Sequence, residues 1–349
     1  MKKILVTGGC GYIGSHAIIE LVNGGQYDAI SVDNYLNSFP GTMERIKTIT
    51  GKEVQNYAVD LCDLEATRQI FVENPDIVGI IHFAALKSVG ESMEFPLSYY
   101  HNNIQSQVNI LKCCKEFGVE VMVFSSSCSV YGDAETLPVS EATPLAPISP
   151  YGRTKYMGEK IIEDFVASEP NGTQIMGLRY FNPVGAHISG KNGEVPTQRP
   201  NNLIPYITQV AAGIKEQLTV FGGDYNTRDG SCIRDYIHVT DIAIAHIQAL
   251  DYIFEGRNSE RAEFLNLGTG NGVTVFEAIQ AFERVSGEKL NYIVGPRRIG
   301  DVETIYADNT KARELLGWNP THTIDDMMES AWKWQQELTP ILERLHSKK

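Results

Sequence analysis

Through the first half of the chain, short apolar runs alternate with segments whose apolar residues return every three or four positions. Runs near 3–7, 28–33, 55–59, 77–83, 120–125 and 174–180 read as strands. In the first segment between them, Ile13, Ala17 and Leu21 set a helical period, and Gly24-Gly25 provides the stop. Longer helices are expected near 95–117 and 151–168, and an exposed apolar face on that pair would form a natural dimer surface. Strand–helix alternation predicts an α/β fold built on a Rossmann-type, doubly wound parallel sheet. The pattern changes after Arg179-Tyr180-Phe181-Asn182-Pro183. Residues 185–200 hold five glycines and prolines with little periodicity and read as loop. Helices near 201–216, 240–254, 274–286 and 324–335 follow, with short strands near 218–221, 264–267 and 291–294. The expected division is a nucleotide-binding domain over 1–181 and a smaller mixed α/β substrate-binding region over 182–349, with the chain crossing back between them.

Composition narrows the partners. At 349 residues and 42% hydrophobic content, the chain can bury a large core. Its net charge of −13, without a Lys/Arg block, repels phosphate backbones and argues against nucleic acid. The six cysteines (Cys10, Cys62, Cys113, Cys114, Cys128, Cys232) show no C-x-x-C pair, so a reduced cytoplasm is the simplest setting. Ile4-Leu5-Val6 is too short for a secretory h-region, and no apolar run approaches a membrane span. His16, His82, His101, His187, His238 and His246 lack metal spacing and read as structural.

The segment Thr7-Gly8-Gly9-Cys10-Gly11-Tyr12-Ile13-Gly14-Ser15 follows a strand and opens a helix. Gly9, Gly11 and Gly14 satisfy G-x-G-x-x-G, and Gly8, Gly11 and Gly14 the related G-x-x-G-x-x-G. Missing side chains let a pyrophosphate approach the helix N-terminus, where free N–H groups and the dipole favour anions. Asp33 ends the next strand 19 residues after Gly14. A carboxylate there accepts from a ribose hydroxyl and repels a 2′-phosphate, which selects NAD over NADP. Asp60 ends another strand and meets either the adenine or only a turn.

Tyr151 and Lys155 lie four residues apart, on one face of a helix started by Ser149-Pro150. A neighbouring ammonium is expected to lower the tyrosine pKa from about 10, giving a base for an alcohol hydroxyl. Tyr156 and Lys160 repeat the spacing, and with 16 tyrosines one chance match is unremarkable. Position separates the pairs: Tyr156 is rotated by about 140° from Tyr151 at helical pitch and reads as packing, with Lys160 a solvated charge. Ser127 closes a strand within Phe124-Ser125-Ser126-Ser127-Cys128-Ser129-Val130-Tyr131-Gly132, where ligands of open α/β sheets gather. Its hydroxyl can relay a proton to Tyr151, although a serine run alone reads as no more than the close of a strand.

Together these residues resemble the extended short-chain dehydrogenase/reductase superfamily, and within it the 4-epimerases of UDP-glucose and UDP-galactose. The similarity runs from Thr7 to Asp308. It is carried also by Asp33-Asn34 with Asn37-Ser38, His82-Phe83-Ala84-Ala85-Leu86-Lys87, Arg179 to Ala186, Pro200-Asn201-Asn202-Leu203, Arg234-Asp235-Tyr236-Ile237-His238-Val239, and Pro296-Arg297-Arg298 with Gly300-Asp301. The resemblance implies an NAD-dependent isomerase of galactose metabolism that inverts C4 through a transient 4-keto sugar, keeps its NAD tightly bound, and forms a homodimer.

It also implies roles for individual residues. Gly8, Gly11, Tyr12, Ile13 and Gly14 would line the NAD pyrophosphate, Asp33, Asn34, Asn37 and Ser38 the adenosine ribose, and Asp60 and Leu61 the adenine. Phe83, Ala84, Lys87, Asn102 and Phe181 would touch the cofactor. Ser127 and Tyr151 would meet both cofactor and sugar, with Lys155 on the nicotinamide ribose. Lys87, Asn182, Asn202, Leu203, Phe221, Arg234, Tyr236, Arg298, Asp301 and Ile305 would hold the UDP-sugar. Either arginine alone reads as an ordinary surface ion pair; as a pair, they suit a pyrophosphate.

Related nucleotide-sugar 4,6-dehydratases place an Asp-Glu pair after the hydroxyl residue, and UDP-glucuronate decarboxylases a glutamate. Here Cys128 and Ser129 stand there, which disfavours both reactions. At the position of Ile305 the family carries a pocket gate. An isoleucine, smaller than tyrosine, implies some turnover of UDP-N-acetylhexosamines. A dehydrogenase that releases its product, or an NAD-binding redox sensor, remains the alternative.

Overall fold

The computed structural model describes residues 1–169, 172–196, 202–298 and 301–346. Pro200, Asn201 and Gly300 of the motifs above lie outside them. One seven-stranded sheet organises the molecule. Its strands are β1 (Lys2–Thr7), β2 (Tyr27–Val32), β3 (Asn56–Tyr57), β4 (Ile77–His82), β5 (Val121–Ser127), β6 (Gln174–Tyr180) and, much later, β11 (Ala262–Leu267). Their order is β11-β6-β5-β4-β1-β2-β3, parallel at each pairing. The register aligns Thr7 with Val32 and with His82, and Ser127 with Tyr180, so these strands end along one edge.

The helices before the crossover are α1 (Tyr12–Gly24), α2 (Thr42–Thr50), α3 (Leu64–Glu73), α4 (Val89–Glu94), α5 (Pro96–Phe117) and α6 (Pro150–Ser168). Strand alternation divides the core. Ile4 and Val6 pack with Ile18, Ile242 and Leu250 on one face, while Leu5 packs with Ile30, Ile110 and Ile162 on the other. Each fully buried aliphatic side chain contributes roughly 1.5–3 kcal/mol, so shifting β1 by one residue would exchange the two faces and lose both.

The expected strand near 264–267 is β11, and the expectation of its place needs correction. It extends the main sheet beside β6 rather than belonging to the substrate region. Its apolar run supplies the reason: Leu265 and Leu267 are fully buried in the larger core. The remaining elements are β7 (Asn182–Val184), α7 (Leu203–Ala211), β8 (Leu218–Phe221), β9 (Ile233–Arg234), β10 (Tyr236–His238), α8 (Val239–Phe254), β12 (Val273–Thr274), α9 (Val275–Ser286), β13 (Tyr292–Gly295), β14 (Thr304–Ile305), α10 (Thr310–Leu316) and α11 (Ile324–His346). Of these, α8 and α10 return to the main layer, α8 packing on α1 and α10 on α8 and β11. Among the described residues the others include three small sheets, β10-β7, β12-β9-β14 and β13-β8, beside an apolar cluster that includes Ile207, Phe282 and Met328.

Candidate active site

The turn after β1 is shaped for a phosphate. Gly8 has φ +68°, and a Cβ there would lie 2.9 Å from the Ala84 nitrogen. A Cβ on Gly14 would lie 2.2 Å from the Gly8 carbonyl oxygen. Helix α1 starts at Gly11 without a side-chain cap and without an acid in its first turn, so its N-terminal N–H groups and dipole are left for an anion. Asp33, one residue past β2, accepts from the Cys10 and Tyr35 amides at 3.0 and 2.8 Å and from the Ser38 hydroxyl at 2.7 Å. Ile13, Asn34 and Asn37 share this rim, Asn34 and Asn37 exposed. Asp60 caps the Cys62 amide at 2.9 Å and is exposed, whereas Leu61 beside it is buried. The residues present thus fit a dinucleotide.

Later segments close over this turn. The Tyr12 hydroxyl donates to the Gly185 carbonyl at 2.6 Å, and the Asn192 amide donates to the Ser15 hydroxyl at 2.9 Å. Lys87, after β4, donates to Glu194 at 2.6 Å, and Trp334 of α11 donates to the Glu194 carbonyl at 2.7 Å. Lys87 also lies 5.7 Å from the centre of the Tyr12 ring. Gly185, Asn192 and Glu194 carried no separate signal in the sequence beyond a glycine-rich loop.

Ser127, Tyr151 and Lys155 meet at the end of β5. Ser149 caps α6, its hydroxyl accepting from the Gly152 amide at 3.1 Å, and Pro150 fills the first helical position. That start aims Tyr151 and Lys155 at the strand. Ser127 draws the Tyr151 phenol down electrostatically while its hydroxyl donates to Ser129 at 3.1 Å, and the Lys155 ammonium donates to the Ser125 carbonyl at 2.6 Å. Lys160 instead pairs with Glu163 at an exposed position, and Tyr156 packs at the edge of an apolar cluster.

The electrostatics correct one expectation. Burial pushes the Tyr151 phenol up to about 12, and Ser127 opposes this rise. Burial also lowers Lys155 to about 7, partly countered by Glu159. The expected lowering of Tyr151 by the ammonium is therefore not found in the protein alone. A lysine stripped of water partly loses the charge that would have favoured the phenolate. Cys128 is pushed up to about 12 by burial, and both the amide and hydroxyl of Ser129 are engaged with Ser127. Neither is a competent general acid.

Beyond the end of β5, Asp235 ties several short segments together. Its buried carboxylate accepts from the Thr269 amide and hydroxyl, and from the Gly270 and Ala307 amides, at 2.6–3.1 Å. Its carbonyl accepts from the Asn182 amide at 2.9 Å. This fixes the neighbouring Arg234 and Tyr236. Arg234 bears electrostatically on both Cys128 and Tyr236, linking it to the end of β5. Asp301 receives two hydrogen bonds from Arg298, at 2.7 and 3.1 Å, and lies 4.0 Å from Arg234. Arg298 stacks on the half-exposed Phe221. Phe181 and Ile305 are buried in one apolar cluster with Val130 and Tyr131. At the periphery, Asn202 is exposed and begins α7 beside Leu203, Phe83 and Ala84 follow β4, and Asn102 donates to Asn103 at 3.0 Å.

The family described as GDP-mannose 4,6 dehydratase matches residues 5–331. The UDP-glucose 4-epimerase of Bacillus subtilis is 48% identical over 332 residues, 95% of this chain and 96% of its own. A crystal structure of UDP-glucose-4-epimerase from Stenotrophomonas maltophila, with bound NAD and formylated UDP-arabinopyranose, superposes with TM-score 0.94 at 43% identity, covering 98% of this chain and 100% of that one. The enzyme from Bifidobacterium longum, in complex with NAD+ and UDP, superposes with TM-score 0.91 at 46% identity, covering 97% and 99%.

Proposed function

The chain belongs to the UDP-glucose 4-epimerase family, and on that premise we propose how its own residues carry out the NAD-dependent interconversion of UDP-glucose and UDP-galactose. The observation that carries the assignment is the Ser127–Tyr151–Lys155 group beside a dinucleotide turn, with no acid at Cys128 or Ser129.

Gly8, Gly11, Tyr12, Ile13 and Gly14 hold the NAD pyrophosphate, and Asp33, Asn34, Asn37 and Ser38 its adenosine ribose. Asp60 and Leu61 flank the adenine, while Phe83, Ala84, Lys87, Asn102 and Phe181 complete the cofactor site. Bound NAD supplies a reversible acceptor for the C4 hydride, so the sugar passes through a transient 4-keto form. Tyr151 in its phenolate form takes the C4-hydroxyl proton, directly or through Ser127, and returns it; a cationic nicotinamide beside it would favour that form over the neutral phenol of the protein alone. Lys155 is anchored to β5 and directs the nicotinamide end. Arg234 and Arg298, with Asn182, Asn202, Leu203, Phe221, Tyr236 and Asp301, grip the UDP moiety through charge-assisted hydrogen bonds. Phe181 and Ile305 give the hexose apolar walls without hydrogen bonds, so the ring can turn while UDP stays held. Residues 1–181 with α8, β11 and α10 make the NAD layer, and the remaining elements the UDP-sugar region.

Two further readings belong to the same proposal. Val89 and Met93 on α4, Phe95 at the α4–α5 junction, Leu97 on α5 and Met157 on α6 are exposed and support a homodimer through these helices. All six cysteines are free, which supports a reducing cytoplasm. Incubation with UDP-galactose, without added NAD, should yield UDP-glucose. Absence of product, or a requirement for stoichiometric external NAD, would overturn the assignment.

A further inference from the structure

One buried ion pair sits directly behind the reacting group. Glu159 lies one helical turn past Lys155 and is 1% exposed; its partner Arg179, on β6, is 5% exposed. The guanidinium grips the carboxylate with two hydrogen bonds, Nε to Oε1 at 2.8 Å and Nη2 to Oε2 at 2.7 Å. The same carboxylate accepts from the Ser126 hydroxyl at 2.5 Å. Arg179 also donates to the Tyr131 hydroxyl at 2.9 Å, which donates to Asn266 at 2.6 Å. Ser126 stands between Ser125, whose carbonyl receives Lys155 at 2.6 Å, and Ser127, which bears on Tyr151. Strand alternation turns the Ser126 side chain away from those of its two neighbours. Helix α6 thus holds the end of β5 by two handles, a carbonyl through Lys155 and a hydroxyl through Glu159.

We propose that Glu159, locked by Arg179, is a positioning residue that holds the Ser125–Ser127 strand end in register with Tyr151 and Lys155. An ion pair buried this deeply must offset a large desolvation cost, and an apolar pair of similar volume would pack here without it. What such a pair could not do is bond Ser126 while placing a negative charge behind Lys155. The other groups bearing on that lysine are His82 at the end of β4 and Tyr151.

The inference rests on the epimerase reading, and the test separates the two. Wild type, Ser126→Ala and Glu159→Gln are each purified with their NAD and assayed with UDP-galactose across pH. Ser126→Ala should lower kcat about tenfold with KM, NAD content and Tm near wild type, since a misplacement under 1 Å costs up to about 100-fold in rate. Glu159→Gln should lower kcat further and move the alkaline limb of kcat to lower pH, because Lys155 loses the charge that keeps it protonated. If Glu159→Gln does not fold, Ser126→Ala decides alone. A folded Ser126→Ala with wild-type kcat would overturn the inference, as would a folded Glu159→Gln whose pH limb does not move. A wild-type protein that fails to interconvert the sugars would overturn the epimerase reading itself.

Discussion

The Lys155 ammonium donates to the carbonyl of Ser125 at 2.6 Å and lies 6.0 Å from the centre of the Tyr151 ring. In the protein alone the lysine is thus secured to a strand while the phenol remains neutral, pushed up to about 12 by burial. The local group that draws the phenol down is Ser127. Ser127→Ala should therefore lower kcat by about 100-fold, the low end of the usual range for loss of a proton-transfer partner, and shift the acid limb of kcat to higher pH. A pH–rate series on both proteins reads the shift.

Tyr151→Phe removes the proton acceptor but leaves the nucleotide turn intact. Turnover should fall by about 10³-fold or more, while NAD released on denaturation remains stoichiometric with protein. Activity within tenfold of wild type would reassign the base.

Gly14→Ala tests the turn itself. The added Cβ would lie 2.2 Å from the Gly8 carbonyl oxygen, a backbone clash that no side-chain rotation relieves. We expect a loss of about 2–4 kcal/mol in denaturant unfolding, the scale of a strained or overpacked site, together with loss of co-purifying NAD.

Stability should decline in mild acid. Burial holds His16 and His246 at about 4 and His82 and His238 at about 3. Unfolded histidines titrate near 6.5, so between these values the unfolded chain binds more protons and stability falls as pH falls. His322 runs the other way. Asp241 raises its pKa, so its contribution is present below about 6.5 and is lost as pH rises through the folded value. Burial lowers His187 as well, so five histidines against one predict a lower Tm at pH 5 than at pH 7, measured by calorimetry at constant ionic strength.

Ile305 is 6% exposed and shares its cluster with Phe181. The wild-type protein should turn over some UDP-N-acetylgalactosamine, and Ile305→Tyr should abolish this while retaining UDP-galactose turnover. Resolving products from both substrates checks it; a wild-type enzyme strict for plain hexoses would remove the basis for a gate at this position.

The main sheet was largely readable because its strands are long apolar runs: β1, β4 and β6 fall where their hydrophobic pattern ends. The strand β11 was readable as a strand but not as a neighbour of β6, since periodicity carries no partner. Two- and three-residue strands such as β7, β9 and β14 have no period to detect, and Asp235, which ties them together, is one carboxylate among many in the sequence. The grouping of Ser127, Tyr151 and Lys155 at the end of β5 was legible from position. Their charge states were not, because burial of Tyr151 and Lys155 is a property of the packed molecule. Glu159 and Arg179, 20 residues apart, became a pair only when α6 lay across β6.

The roof over the nucleotide turn is built from distant chain: the Gly185 carbonyl that receives the Tyr12 hydroxyl is 173 residues further on. The floor of the pocket thus comes from the start of the chain and its cover from residues far beyond it. A dinucleotide lying between them joins the two, so its binding stabilises the fold across its whole length and not only at the turn.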